Sequence, residues 1–402
     1  GPFLQSQRLE IYQEHAQLLL ESGHAYRCFC TKERLDELRK RQEAIKQPTK
    51  YDRQCLNLTR EEIAQRLKDG EASVVRLRIP EGSTTFTDEI RGEITIPNAE
   101  IDDQVLIKSD GFPTYHLAVV VDDYLMGITH IIRGEEWISS VPKHVILYAA
   151  LGYPMPKFAH LPLILNPDRS KLSKRQGDVA VEDYLNKGYL PEALLNYIAL
   201  LGFNPSADRE LYTVEELAEA FDFAHINKSG AVFDPLKLNW MNAHYIRTIS
   251  MQRLLDLVRP FLDAQSVPGS TLEKMLTVER SRATTLADFS TLIAMYVTIP
   301  EFDPQELVWK KADRADALQQ LKDVTAFLEG VAASEFEDVA LFEGAVKEYI
   351  EKGSRQTGNV LWPMRVALSG SARSASPFEI AWVLGKEQTL LRLKKAIERL
   401  TT

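Results

Sequence analysis

The sequence predicts an α/β domain organised on parallel strands, followed by a tail made of helices alone. Two observations predict it. Between residues 106 and 169 short apolar runs alternate with helical stretches, the pattern of strands joined by crossovers. From about residue 251 onward strand-like runs vanish, and apolar residues recur at helical spacing. A single core is not expected for 402 residues, and roughly two to four domains are. A hydrophobic share of 45% is enough to fill ordinary globular cores.

Taken in order, the chain opens Gly1-Pro2-Phe3-Leu4-Gln5, which is neither a signal peptide nor a transit peptide. A helix follows, with Ser6 as its expected cap, Gly23 as its stop, and Leu9, Tyr12, Ala16, Leu19 and Leu20 on one face. Residues 25 to about 105 alternate strand-like runs, at 74–79 and 93–96, with polar helices. Strands are then expected at 104–108, 117–121 and 129–132, with a helix around 141–151. A buried strand at 161–165 is closed by the turn Asn166-Pro167-Asp168. Pro191 starts a helix through Ala193 to Leu201, and Gly202 stops it. In the tail Leu318, Leu321, Val324 and Leu328 share a helical face that ends at Gly330. Ser334 with Glu337 reads as a capping box, opening a helix that carries Val339, Phe342, Val346 and Ile350. Trp362 and Pro363 read as core packing and a helix start.

Composition narrows the function classes. The net charge is −9, from 48 basic and 57 acidic residues. That balance disfavours a nucleic-acid binder unless basic surface is local. Residues 27–53 qualify, with nine basic side chains (Arg27, Lys32, Arg34, Arg39, Lys40, Arg41, Lys46, Lys50, Arg53) against five acids. A solvated helix laced with salt bridges explains the same stretch, and both readings stand. No apolar run approaches the ~18 residues of a membrane span. Three cysteines in so long a chain argue against a disulfide framework and for a reducing compartment.

The stretch Ser170-Lys171-Leu172-Ser173-Lys174-Arg175-Gln176-Gly177-Asp178 holds three cations within five residues, then a glycine that lets backbone approach a ligand. A cationic loop after a strand suits a polyphosphate, because lysines stabilise charge that shifts toward a leaving pyrophosphate. Charge alone also fits a solvated basic loop.

The string decides further. Lys171-Leu172-Ser173-Lys174-Arg175 resembles the KMSKS signature of class I aminoacyl-tRNA synthetases, in the form seen in glutamyl enzymes. Residues 122–137, from Asp122-Asp123-Tyr124 to Arg133-Gly134-Glu135-Glu136-Trp137, look like the same family's segment. Further matches are Ser109-Asp110-Gly111-Phe112-Pro113-Thr114-Tyr115-His116, Gly188-Tyr189-Leu190-Pro191-Glu192, and Leu238-Asn239-Trp240-Met241-Asn242. The chain thus resembles bacterial and organellar glutamyl-tRNA synthetases, in order and over essentially its whole length.

That resemblance implies a Rossmann-like class I catalytic domain, here partial, with an α+β insertion and an all-α C-terminal anticodon-binding region. Residues 1–24 would end the first half of the catalytic domain, 25–105 would be the acceptor-stem-binding insertion, and 106–169 the second half. Residues 170–250 would carry the KLSKR loop and a stem-contact helical domain, and 251–402 the anticodon region, in subdomains of about 251–330 and 331–402. The family's HIGH signature is expected before Gly1, so the chain is expected to lack that N-terminal part and, alone, to be inactive. A non-catalytic tRNA-binding fragment is the alternative. A glutaminyl enzyme is disfavoured because its anticodon domains are β-barrels, and the short relatives that glutamylate a tRNA base lack a tail.

The implied reaction is glutamate–tRNA ligation: glutamate attacks ATP, pyrophosphate leaves, and the acyl group passes to the terminal ribose of tRNA(Glu), with Mg²⁺ assisting. Lys174 and Lys171 would stabilise the phosphates, and Glu136, Trp137, Leu172 and Lys174 would bind ATP. Arg133 would hold glutamate with Tyr115 and Val119, a guanidinium fork suiting a carboxylate; some relatives have asparagine at 119. For Arg133 the structural alternative is a salt bridge with Asp122 or Asp123, and for Tyr115 and Trp137 it is core packing. Cys28, Cys30 and Cys55 match a zinc spacing in certain relatives, with Asn57 at the fourth position and Tyr51 as its substitute; three ordinary small residues is the other reading. A monomer in the cytoplasm, or an organellar matrix, with no membrane partner completes the expectation.

Overall fold

The computed structural model describes residues 3–172, 180–206, 208–262, 267–310 and 312–401. The chain divides into two compact units. The first holds residues 1–172 with 199–210 and 216–233, and the second holds 173–198, 211–215 and 234–402.

The first unit carries the strands β1 (Ala25–Cys28), β2 (Val74–Leu77), β3 (Ser83–Asp88), β4 (Gly92–Pro97), β5 (Val105–Ile107), β6 (His130–Gly134), β7 (Lys157–Leu161), β8 (Ile164–Leu165) and β9 (Ala231–Val232). They form an antiparallel sheet ordered β1-β2-β5, a mixed sheet ordered β4-β3-β7-β6, and a parallel pair β8-β9. In the mixed sheet β3 and β4 make an antiparallel hairpin, while β3-β7 and β6-β7 are parallel, as crossovers require. That sheet draws strands from either side of residue 105.

The helix Val141–Leu151 supplies one crossover and lies where periodicity predicts, ended by Gly152 at φ 70°. Helices Leu9–Glu21 and Tyr115–Leu125 pack with it over an apolar cluster that includes Tyr12, Leu19, Leu77, Leu106, Leu117, Val121 and Leu147.

Local expectations fail at several places. The 117–121 run is helical because Leu117, Ala118, Val120 and Val121 are all buried, and an apolar run buried all round shows neither period. The 161–165 run is split into the end of β7 and the short β8, with Pro162 between them unable to donate to a ladder. Ser6 falls in a 3₁₀ turn, and Leu9–Glu21 starts at Arg8 with no side-chain cap. Ser334 lies in a 3₁₀ turn as well; Asp338 caps the helix Val339–Lys352 by accepting from the Ala340 and Leu341 amides.

In the second unit the described residues of the tail form helices joined by loops, with no strand among them. Helices Arg314–Gly330, Thr357–Ser369 and Pro377–Thr401 enclose one core, with Leu321, Val324, Leu328, Met364, Ile380 and Leu393 fully buried. Pro363 lies inside Thr357–Ser369, not at a helix start. Trp362 packs on Trp309 and donates to the Glu306 carbonyl at 2.8 Å. Arg392 is 2% exposed, and its guanidinium donates to the carbonyls of Met295, Tyr296, Thr298 and Leu368 at 2.5–3.2 Å. Those carbonyls close the helices Asp288–Val297 and Thr357–Ser369, whose C-terminal ends favour a cation.

Candidate active site

The site grows from the end of β6. Arg133 sits there, paired in register with His160 of β7, and the chain then turns through Gly134 into a 3₁₀ segment, Glu135–Ser140. A Cβ at Gly134 would meet only the carboxylate end of Glu136, a flexible side chain that can swing aside. The 3₁₀ segment brings Trp137 back against Arg133, whose guanidinium carbon lies 5.4 Å from the indole centroid. Tyr115, the first residue of its helix, places its ring 4.9 Å from that of Trp137 and stays 45% exposed. Arg133, Tyr115 and Trp137 therefore form one cluster. Val119 lies one turn beyond Tyr115, half-buried against the apolar cluster of the first unit.

Neither Asp122 nor Asp123 makes an ion pair with Arg133. Asp122 is taken by Arg8 at 3.0 Å and the Tyr12 hydroxyl at 2.7 Å. Instead Arg133 donates from Nε to His160 Nε2 at 3.3 Å and from Nη2 to His144 Nδ1 at 3.2 Å. Behind these, His160 Nδ1 meets the Asp88 carboxylate at 2.6 Å, and His144 Nε2 meets His116 Nδ1 at 3.0 Å. Burial, then the Arg133 charge, pushes His144 down to about 3; burial, then Lys143 and Arg133, pushes His116 down to about 4. Burial also lowers Arg133, partly offset by Tyr115. These histidines and Asp88 were not singled out by the sequence. They lie up to 72 residues apart, and a lone histidine carries no local signal.

Lys171 is anchored by a bridge to Leu165, and Leu172 donates its amide to the Ile164 carbonyl at 3.0 Å. The Lys171 ammonium reaches Glu136 at 2.7 Å and holds that carboxyl below the usual range. Both side chains are well exposed, so the pair contributes at most about 1 kcal/mol. Trp137, Glu136 and Lys171 are thus joined through one 3₁₀ turn. Lys174 lies outside the described residues. Glu135, in the same turn, pairs with Arg91 at 2.5 Å.

The three cysteines come together elsewhere in the first unit. The sulfurs of Cys28, Cys30 and Cys55 all lie within 4.8 Å of one another. The Tyr51 hydroxyl is 3.3 Å from both Cys28 and Cys30 and 3.0 Å from the Cys55 amide, whereas Asn57 is exposed. Three thiols at this spacing with a fourth oxygen fit the tetrahedral thiolate-rich set zinc takes. Burial opposes ionisation of Cys28, but Tyr51 and the buried Arg76 outweigh it and lower its value.

Comparison with known proteins bears on both regions. Residues 1–240 match the family model for class I tRNA synthetases (E and Q), catalytic domain, and residues 253–397 match an anticodon binding domain. The glutamate–tRNA ligase of Alkaliphilus metalliredigens is 45% identical over an alignment spanning all of this chain and 82% of that protein. That of Clostridium tetani is 44% identical, again over all of this chain and 82% of its own length. A crystal structure of a glutamate tRNA ligase from Elizabethkingia meningosepticum, in complex with its amino acid, superposes with a TM-score of 0.88 at 30% identity. It covers 99% of this chain and 84% of that one.

Proposed function

This chain belongs to the glutamate–tRNA ligases of class I, and from that premise we propose how its residues divide the reaction. The activity is ligation of glutamate to tRNA in translation. On our reading Arg133 receives a glutamate carboxylate, with Tyr115 lending its hydroxyl and Val119 an apolar wall. The guanidinium prefers a full negative charge to the neutral amide of glutamine. Trp137 packs on the ATP base, Glu136 and Leu172 border the nucleotide, and Lys171 and Lys174 meet its phosphates. There they stabilise charge moving onto pyrophosphate as glutamate attacks the α-phosphorus. Mg²⁺, bound with ATP, supplies further neutralisation. The terminal ribose hydroxyl of tRNA(Glu) then attacks the acyl carbon of the resulting glutamyl-adenylate, and AMP leaves as the acyl–phosphate bond breaks.

The observation that carries this reading is Arg133: among the described residues it has no carboxylate partner, and it clusters with Trp137 and Tyr115, Trp137 sharing its 3₁₀ turn with Glu136, which Lys171 meets. Arg133→Gln in the full-length protein, with the residues expected before Gly1, should raise the KM for glutamate by about a hundredfold in tRNA charging and change the KM for ATP little. An unaltered glutamate KM would remove Arg133 from the pocket.

Residues 25–105 would grip the acceptor stem through the basic stretch 27–53, and the region 251–402 would read the anticodon, acting as a monomer in the cytoplasm. Among the described residues no helix is long and apolar enough to cross a membrane. Zinc, held by Cys28, Cys30, Tyr51 and Cys55, would cross-link the ends of the 28–55 segment. Metal analysis of natively purified protein should find about one zinc per chain, and a chelator should lower the melting temperature; a metal-free native protein with the same melt refutes the site.

A further inference from the structure

Resting on the reading of Arg133 as the glutamate-binding guanidinium, we propose that His160 and His144 are positioning residues. They are two neutral imidazoles held in opposite tautomers that aim Arg133 while leaving its charge for the substrate.

Both nitrogens that Arg133 presents to them can only donate. His160 must therefore accept at Nε2, which puts its proton on Nδ1, 2.6 Å from the Asp88 carboxylate. Asp88 and His160 are fully buried. Asp88 is itself pinned, accepting from the Ile90 and Arg91 amides at 3.0 Å each, so it dictates the tautomer and not the reverse. His144 must accept at Nδ1, so its proton sits on Nε2 and is given to His116 Nδ1 at 3.0 Å. One guanidinium is thereby gripped at two of its nitrogens by lone pairs fixed from behind.

The choice of acceptor matters. A carboxylate in either place would aim the arginine as well, but its charge would cancel the one the substrate needs. An imidazole nitrogen supplies direction without charge. Asp88 stands one ring further away, where it fixes His160 without pairing with the guanidinium.

The test is a set of variants of the full-length protein, with the residues expected before Gly1, assayed for tRNA charging, with the wild-type ring nitrogens observed by NMR. His160→Leu and His144→Leu should each raise the KM for glutamate about tenfold, with kcat and the KM for ATP within about threefold of wild type. His160→Gln places an amide oxygen near the lost Nε2, and His144→Asn places one near the lost Nδ1; each should restore most of the loss. The spectrum should show His160 protonated on Nδ1 and His144 on Nε2. Leucine variants that leave the glutamate KM unchanged, or move all constants together, overturn the proposal, as does His160 protonated on Nε2. If His160→Leu fails to fold, the His144 variants and the spectrum decide. Arg133→Gln separates the layers. Were it without effect on the glutamate KM, the substrate assignment itself would fall; were it effective while both leucine variants were silent, only the positioning role would.

Discussion

The two units each bury an arginine that has no carboxylate partner among the described residues, and they treat it differently. In the helical tail Arg392 is closed off by four carbonyls at two helix ends, so its guanidinium is spent on structure. At the end of β6 Arg133 is half-buried and meets two imidazole nitrogens, which orient it but carry no charge. The lesson concerns the acceptor. Backbone dipoles at a helix terminus and a buried cation satisfy each other, whereas neutral rings leave a cation in want of an anion.

The comparison yields its largest test in the tail. Arg392→Met removes donors from four carbonyls at once and should cost roughly 3–5 kcal/mol. Denaturant melting would show this as a lower midpoint, and a loss under 1 kcal/mol would mean that the carbonyls find other partners.

A second, smaller effect depends on pH. His144 titrates at 6.5 when unperturbed and is pushed to about 3 in the fold. Between those values the unfolded chain binds a proton that the folded chain refuses. The stability from this group is therefore complete above about pH 6.5 and is lost as pH falls, at up to about 1.4 kcal/mol per unit. Urea unfolding at pH 7.5, 6 and 5 should show such a slope, to which His116, pushed down to about 4, also contributes, and His144→Asn should make it shallower without abolishing it. An equal slope in both proteins would sink the account of a ring kept neutral beside Arg133.

The smallest expected change is in the stability of Arg133→Gln. If Arg133 serves a ligand and Arg392 serves the fold, Arg133→Gln should shift unfolding by less than about 1 kcal/mol. A loss matching that of Arg392→Met would erase the contrast.

Much of this was legible in the sequence. The helix Val141–Leu151 lies where it was expected, and helical spacing placed the tail face of Leu321, Val324 and Leu328, because there one face is apolar and the other wet. The residues of the KLSKR and Arg133 segments were legible as a family pattern, and Arg133, Trp137 and Tyr115 do meet. What escaped depends on distance along the chain or on stereochemistry that no period encodes. The helix through Leu117 to Val121 is apolar all round, and Pro162 cuts a run that reads as continuous. The grip of Asp88 and His160 joins residues 72 apart, and Arg392 looks in sequence like any solvent-facing arginine on a helix.

The contact between Lys171 and Glu136 has one more consequence. An ammonium left alone in water wanders through many rotamers, and any anion must first find it and then still it. Here the wandering is already curtailed by a neighbour whose hold is feeble at physiological salt. An arriving anion need only swap itself for that carboxylate, a trade made at the surface and easily reversed when the anion departs.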